Sequence, residues 1–300
     1  MTALRKYPIG IQTFSEIIRG GYLYVDKTDL VWQLVHFAKF VFMSRPRRFG
    51  KSLLTSTLES YFRGEKSLFE GLKMEELEKD WEQYPVFHLD LSSAKGQLSA
   101  AHLRKTLMWI LKPYADIYGH EASESTPGKL LSGLITRANE LTGKQVAVII
   151  DEYDAPLLDV IHDDTLLADS RVVMQEFYQP LKAGERYIKF CFLTGITRLS
   201  QLNIFSTLNN LTNISLLPQF AAICGFTGTE FHEQLAADIR HLAESYECSE
   251  EKMENMLKTR YDGYHFSSSG KGVYNPFSLL KAFRNREIKN YWFDTGTPSF

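Results

Sequence analysis

The residues best suited to chemistry begin with Gly50-Lys51-Ser52, which follow an apolar run at 40–43 and precede a segment with helical spacing. A loop in this setting binds nucleotide phosphate, because its backbone N–H groups and the helix N-terminus point at the phosphate oxygens. Lys51 would reach the β and γ oxygens, and the Ser52 hydroxyl would bind Mg²⁺. The loop residues expected to bind nucleotide are Arg47, Phe49, Gly50, Lys51, Ser52 and Leu53.

The residues just before this glycine depart from the usual spacing, which places a glycine at position 45. This chain has Arg45-Pro46-Arg47-Arg48 there, and a basic surface turn is the alternative interpretation. If the loop binds nucleotide, we expect Arg48, which lies nearest the glycine, to turn inward and supply positive charge. Arg45 is then expected to be structural or to face a partner.

A second set of candidates follows residues 145–150, an apolar, β-branched run typical of a strand buried on both faces of a parallel sheet. In phosphate-loop NTPases an acid at such a strand end binds Mg²⁺, and a following glutamate takes the proton from the attacking water. Asp151 and Glu152 have these positions; the alternative is a helix N-cap. With Ser52, Asp151 is the expected metal ligand, and Glu152 is the expected base. Asp154 is expected to hold an arginine or cap the next helix.

A third set follows the apolar run at 187–193 and comprises Thr194, Thr197 and Arg198. A polar side chain at the end of a strand beside the acidic one can sense the γ-phosphate, and a nearby arginine can neutralise charge in the transition state. We expect Thr194 to be the sensor and Arg198 to supply positive charge. The alternative is an ordinary turn followed by a solvated arginine.

The elements that must position these residues alternate as in an α/β protein. Strands are predicted at 40–43, 85–91, 145–150, 187–193 and 210–217, and helices at 54–62, 130–141 and from Ser99 to just before Pro113. The prediction is a P-loop NTPase domain at residues 1–220, with a mainly parallel sheet flanked by helices. Residues 221–300 are predicted to form a small helical, lid-like or winged-helix-like segment, from which Tyr264 and His265 could reach a bound nucleotide.

Composition excludes several classes of function. The chain has 34 Lys+Arg against 36 Asp+Glu, so any contact with nucleic acid must be local. Three scattered cysteines do not form a disulfide framework, and the histidines show no metal-ligand spacing. No apolar run reaches the roughly 18 residues of a transmembrane helix, and no signal pattern is present. We expect a cytoplasmic protein without membrane association.

Taken together, the motifs resemble the bacterial AAA-ATPase-like family. The resemblance is carried across the chain by Pro8-Ile9-Gly10, Tyr24-Val25-Asp26-Lys27-Thr28, Arg45 to Leu53, Ile150 to Asp154, Leu193 to Arg198, Tyr261-Asp262-Gly263-Tyr264 and Tyr274-Asn275-Pro276. It implies an ASCE-type P-loop core, related to the STAND and archaeal ATPases, in which the acidic strand lies next to the phosphate-loop strand. It also implies that the arginine-rich loop is the family pattern. Family members often continue into a restriction-endonuclease-like domain, and residues 295–300 resemble mid-protein sequence.

The expected activity is slow Mg²⁺-dependent ATP hydrolysis coupled to a conformational change, with ATP and ADP as ligands. Pro8, Ile9 and Gly10 are expected to flank the adenine. Two alternatives stay open: a nucleotide-gated switch with negligible turnover, and a phosphotransferase acting on a small acceptor or a nucleic-acid end. The sequence does not identify a nucleic acid or protein partner, or an oligomeric state.

Overall fold

Five parallel strands form the central sheet of the computed structural model, which describes residues 6–96, 99–198, 210–267 and 272–291. The strands are β1 (Phe40–Ser44), β2 (Val86–Asp90), β3 (Val146–Asp151), β4 (Ile188–Gly195) and β5 (Thr212–Asn213). Every strand pair in this sheet is parallel, so the carboxyl ends of the strands meet along one edge. The expected fold class, a mainly parallel sheet flanked by helices, is confirmed.

The order of the strands is β2-β3-β4-β1-β5, so β4 lies between the phosphate-loop strand β1 and the acidic strand β3. The expectation that these two strands are neighbours was therefore wrong. In the register of the sheet, Met43 pairs with Thr194, and Ile150 pairs with Leu193. Each of these strands is an apolar run of similar type, and nothing within a run specifies which other run will lie beside it.

Alternate side chains of β3 pack on opposite faces of the sheet. Val148 and Ile150 belong to one hydrophobic core, whereas Ala147 and Ile149 belong to a second core on the other face. This arrangement explains the uninterrupted apolar sequence of the strand, since both of its faces are buried.

Helices cover the two faces. The first core is covered by α5 (Ala100–Tyr118), α6 (Pro127–Thr142) and α8 (Asp164–Ala183), which contact one another. The second is covered by α1 (Phe14–Arg19), α2 (Thr28–Phe37), α3 (Lys51–Phe62) and α4 (Lys73–Leu77). A short helix, α7 (Ala155–Leu158), follows β3. Within the described ranges, no helix combines the length and the apolar composition that a bilayer span requires.

Helix α5 continues through Pro113 to Tyr118, so the prediction that the helix ends before this proline was wrong. Proline removes one N–H and disturbs the carbonyl of the residue four positions earlier, which is here Trp109. Pro113 is exposed and the Trp109 side chain is 67% exposed, so this part of the helix faces water, which can hydrogen-bond the carbonyl. Leu107 and Leu111 on the opposite side are fully buried and hold the helix against the sheet.

The strand predicted at 210–217 is much shorter in the structure. Only Thr212–Asn213 pairs with β1, and Pro218 begins a 3₁₀ turn that ends at Phe220. Leu216 is 60% exposed, so the apolar run does not mark a continuous buried strand.

A third hydrophobic core lies in the C-terminal part of the chain. It is built by α9 (Gly228–Ser245), α10 (Glu250–Tyr261) and α11 (Pro276–Asn285), beside an antiparallel pair β6 (Phe226–Thr227) and β7 (Val273–Tyr274). Thr227 and Glu230 form a reciprocal capping box that begins α9. Leu23 and Val25 from the N-terminal segment are buried in the same core. The C-terminal helices are therefore packed against residues from the start of the chain.

Candidate functional site

The phosphate loop ends at Gly50, the N-cap of α3, which has φ 90°. A Cβ added to Gly50 would have no atom within 4 Å, so the space beside the backbone is open. No side chain caps α3 and no acidic residue lies in its first turn. The N-terminal N–H groups of α3 therefore face a setting that suits an anion.

Lys51 is only 7% exposed. Its Nζ donates to the main-chain carbonyl oxygens of Arg45 at 3.2 Å and Pro46 at 3.1 Å. Burial lowers the pKa of Lys51, and the charge of Asp151 opposes this shift. Both carbonyl contacts are long for an ammonium, so phosphate oxygens could replace them with stronger, charge-assisted bonds.

Asp151 ends β3 and is 3% exposed. Burial raises the pKa of the Asp151 carboxyl, while a hydrogen bond with Ser52 and the charge of Lys51 oppose the shift. The hydroxyl of Thr55 donates to the Ser52 carbonyl at 2.9 Å and lies 3.5 Å from Asp151 Oδ2, a proximity that the sequence did not reveal. The Asp151 carboxylate and the Ser52 hydroxyl fit Mg²⁺ chemically, because Mg²⁺ prefers oxygen ligands and usually completes its coordination with water and substrate phosphates.

Glu152 has φ 50°, a left-handed conformation that is uncommon outside glycine and is often found at functional sites. Its N–H donates to Asp151 Oδ1 at 2.9 Å, and its Oε2 lies 2.5 Å from Nζ of Lys95. Lys95 follows the 3₁₀ turn Leu91–Ala94 after β2. Sequence reasoning did not find Lys95, because a single lysine in a turn carries no motif.

Thr194 and Arg198 lie at the same edge but differ in exposure. Thr194 is fully buried, and its hydroxyl donates to the carbonyl of Met43 in the neighbouring strand at 2.8 Å. Arg198 is exposed. The structure thus ties Thr194 to the end of the phosphate-loop strand and leaves the Arg198 side chain in solvent.

Among the residues that the structure describes, no arginine contacts Asp154, and its side chain does not cap α7, which corrects the sequence-based expectation. Its side chain makes no cap hydrogen bond. Instead, Asp154 Oδ2 accepts the N–H groups of Ile196 at 3.0 Å and Thr197 at 2.6 Å. The turn after β4 comes within reach of the carboxylate only because β3 and β4 are neighbours, which the sequence did not reveal.

The arginines of the phosphate loop have different surroundings. Arg45 is 1% exposed and donates to the carbonyls of Ser215 at 2.7 Å and Phe220 at 3.1 Å. Its guanidinium also lies 4.1 Å from the ring centre of Phe266. Arg45 therefore connects the loop to the chain that follows β5 and to the C-terminal part.

Arg48 has φ 68°, and its guanidinium lies 4.5 Å from the ring centre of Phe277 in α11. Arg47 is exposed. The structure thus places Arg48 against the C-terminal helices, and its inward orientation toward phosphate stays a prediction for the nucleotide-bound protein.

Phe49 is 1% exposed and makes edge contacts with Tyr264 and Phe266, whose ring centres lie 4.6 Å and 5.3 Å away. Its side chain is thus used in packing, and the expected contact of Phe49 with nucleotide stays a prediction. Leu53, in the first turn of α3, packs against the second core. His265, the other residue considered as a lid contact, is exposed.

The residues expected to flank adenine lie in the N-terminal segment. Ile9 packs against the third core, and Gly10 has φ 86°. Pro8 is partly exposed. The structure associates this segment with the C-terminal helices, so the expected adenine contact stays a prediction.

Comparisons with known proteins found a matching family and a relative of this chain. A family model described as predicted AAA-ATPase, for the AAA-ATPase-like family, matches residues 8–205. A curated relative from Azotobacter chroococcum mcd 1, described as an uncharacterized protein in the vnfD 5′ region, is 34% identical over 298 residues. The alignment covers 99% of this chain and 55% of the relative, so the chain spans about half the length of that protein. No solved structure matches the chain.

Proposed function

The chain belongs to the predicted AAA-ATPase family, and we propose that it binds ATP with Mg²⁺, hydrolyses it slowly and couples hydrolysis to a conformational change. The observation that carries this proposal is the buried Lys51. Its ammonium interacts electrostatically with Asp151 and Glu152, at the edge of the sheet where the strands end. A cation, two acids and an open helix N-terminus are the groups that phosphoryl transfer requires.

The divalent ion would be held by Ser52 and Asp151, and it would supply positive charge against the β and γ oxygens. Lys51 would exchange its two carbonyl contacts for phosphate oxygens. Glu152 would orient a water molecule and accept its proton. Thr194 would sense the γ-phosphate, and Arg48 and Arg198 would supply further positive charge.

The coupled conformational change is proposed to begin at the loop itself. When Lys51 leaves the carbonyls of Arg45 and Pro46, these two groups lose their partner, and the loop backbone can shift. Arg45 and Phe49 would carry that shift to Phe266. We propose residues 1–220 as the nucleotide-binding domain and residues 221–300 as the unit that responds. The third core supports this proposal, because it consists mainly of C-terminal residues and joins them to Leu23 and Val25 of the N-terminal segment.

Calorimetry with MgATP, together with a phosphate-release assay, tests the proposal. Lys51→Ala should weaken MgATP binding by about 10–100-fold, because a hydrogen bond to a charged group contributes about 1.5–3 kcal/mol. Lys39→Ala is the matched control, since Lys39 pairs with Glu185 near the start of β1, away from the site. Equal affinity of the Lys51→Ala and parental proteins would refute the assignment of the loop.

A nucleotide-gated switch with negligible turnover is the second candidate, favoured by the ion pair between Lys95 and Glu152. The ammonium of Lys95 occupies an oxygen of the Glu152 carboxylate that would otherwise be available to a water molecule. If the switch proposal is correct, purified protein should retain ATP or ADP, detected by mass spectrometry, and release phosphate at the background rate. Continuous phosphate release that is abolished by Glu152→Gln would contradict the switch and favour the ATPase.

A further inference from the structure

Four hydrogen bonds join the segment after β3 to the turn after β4. The N–H of Tyr153 donates to the Thr194 carbonyl at 3.0 Å, and the Tyr153 hydroxyl donates to the Thr197 carbonyl at 2.9 Å. Asp154 Oδ2 accepts the N–H groups of Ile196 and Thr197 at 3.0 Å and 2.6 Å. Both peptide groups of Thr197 are therefore held by side chains of the acidic segment.

The two segments approach so closely that Gly195 cannot carry a side chain. A Cβ at Gly195 would lie 2.3 Å from Asp154 Oδ1 and 2.6 Å from the ring of Tyr153. Tyr153 is fully buried and Asp154 is 1% exposed, so neither can move aside into solvent. The glycine is thus required by the close approach of the carboxylate.

The Asp154 carboxylate is buried, and the N–H groups of Ile196 and Thr197 compensate for its lost hydration. What the contacts do accomplish is geometric, because they fix the backbone of Thr197 and hence the Cα of Arg198. The Arg198 side chain remains exposed and able to reach a ligand.

We propose that Asp154, together with Tyr153, is a positioning residue that fixes Arg198 relative to Glu152 at the catalytic edge. This inference rests on the proposed function, because it gives the turn after β4 a role in ATP hydrolysis. We call the four hydrogen bonds of Tyr153 and Asp154 with Thr194, Ile196 and Thr197 the clamp. Because Glu152 directly precedes Tyr153 and Arg198 directly follows Thr197, the clamp connects the base to the arginine through a few residues. Asp154 itself touches neither nucleotide nor metal in this scheme.

A double-mutant cycle on kcat for ATP hydrolysis tests the inference. Asp154→Ala should lower kcat by about 10–100-fold, the loss expected when a catalytic group is misplaced by about 1 Å. MgATP affinity should remain close to that of the parental protein, since the phosphate loop is intact. In the Asp154→Ala/Arg198→Ala double variant, kcat should fall no further than in the more impaired single variant. Additive losses, or an Arg198→Ala variant with parental kcat, would overturn the inference.

Two further measurements separate positioning from a general loss of stability. Tyr153→Phe removes one hydroxyl, is expected to fold, and should lower kcat in the same direction as Asp154→Ala. Asp163→Ala is the matched control, because Asp163 also accepts a backbone N–H, that of Leu166 at 2.9 Å, but at the start of α8. It should leave kcat unchanged.

Amide hydrogen exchange reports the clamp without any nucleotide. In Asp154→Ala the amides of Ile196 and Thr197 should exchange faster than in the parental protein, while the amide of Leu54 in α3 should not change. Parental exchange at Ile196 and Thr197 would refute the clamp whatever the activity. Failure of the parental protein to bind MgATP would instead refute the proposed function, so the two failures are distinguishable.

Discussion

The loop after β1 and the turn after β4 lie at the same edge of the sheet but are held in different ways. In the phosphate loop, Lys51 donates to two loop carbonyls at 3.1–3.2 Å, and Arg48 stacks on an aromatic ring of the C-terminal part. In the turn after β4, a buried carboxylate and a buried phenol hold Thr197 at both of its peptide groups. A ligand can replace the first set of contacts, whereas the second set is made by the buried side chains of Tyr153 and Asp154.

This difference indicates that the phosphate loop and the turn after β4 have different roles in the site. A loop whose cation is held by weak carbonyl contacts can exchange them for phosphate at little cost, and so can respond to nucleotide. A turn clamped by buried groups keeps its geometry through the reaction, as preorganised catalysis requires. Changes in the phosphate loop should therefore affect binding, and changes on the β4 side should affect turnover.

The largest effect is expected from Glu152→Gln, because Glu152 directly precedes Tyr153 and Asp154, the residues that hold the turn after β4. Turnover should fall by about 10²–10⁴-fold, the usual contribution of general acid–base catalysis, while MgATP affinity is retained. Asp151→Asn should instead weaken the Mg²⁺ dependence of binding, because it removes a charged metal ligand. Calorimetry and single-turnover hydrolysis measure the two properties separately. Equal loss of affinity in both variants would show that the two acids have been assigned wrongly.

Alanine at Gly195 and at Gly50 should destabilise the two loops for different reasons. Gly195→Ala forces a Cβ into contact with Asp154 and Tyr153, and overpacking of this kind lowers the free energy of unfolding by about 1–3 kcal/mol. Gly50→Ala meets no atom, but its φ of 90° is unfavourable for alanine, with an expected loss of about 1–2 kcal/mol.

Urea unfolding and calorimetry of both glycine variants would check this prediction. Gly195→Ala should retain MgATP affinity and lose turnover, whereas Gly50→Ala should lose affinity. Loss of affinity in Gly195→Ala with parental affinity in Gly50→Ala would contradict the different roles assigned to the two loops.

The pH dependence of nucleotide binding should reflect the buried Lys51. Because burial lowers its pKa below the ordinary value of 10.5, the ammonium loses its proton at a lower pH than a solvated lysine. MgATP affinity should then fall by up to about tenfold per pH unit above the lowered pKa.

The lowered pKa of Lys51 has the opposite effect on stability: MgATP affinity falls as the pH rises, whereas the free energy of unfolding increases. Between the lowered pKa of the folded state and 10.5, the unfolded chain binds more protons at this site, so the contribution of Lys51 to the free energy of unfolding rises with pH. Lys51→Arg is the control, since a guanidinium does not titrate in this range. If the alkaline loss of affinity persists in Lys51→Arg, its source is another group.

The smallest effect on the free energy of unfolding is expected at Arg48. Removing its contact with Phe277 by Arg48→Ala should change the free energy of unfolding by about 0.5–1 kcal/mol, as for an exposed cation–π pair. Single-turnover hydrolysis then asks whether Arg48 turns inward when nucleotide is bound. Lys281→Ala is the control, because Lys281 lies over the same Phe277 ring at 4.8 Å but is outside the phosphate loop. A parental hydrolysis rate in Arg48→Ala would refute the inward orientation.

Much of this architecture followed from the sequence alone. The runs at 40–43, 85–91, 145–150 and 187–193 correspond to β1 to β4, and the helix predicted at 130–141 corresponds to α6. The family was also identified from its motifs. These predictions succeeded because apolar periodicity and glycine-rich turn chemistry act within a few residues of the chain.

Relations between distant residues were decided only by the tertiary structure. The order of the strands, the continuation of α5 through Pro113, the ion pair of Lys95 with Glu152 and the clamp of Asp154 on Thr197 all depend on which segments pack together. Asp154 shows the reason most clearly. An aspartate before a short helix is typical of a helix cap. In the structure, the neighbouring strand β4 instead brings the N–H groups of Ile196 and Thr197 within hydrogen-bond distance of the Asp154 carboxylate. Local sequence determines whether a segment can form a helix, a strand or a turn, whereas tertiary packing determines which distant residues its side chains contact.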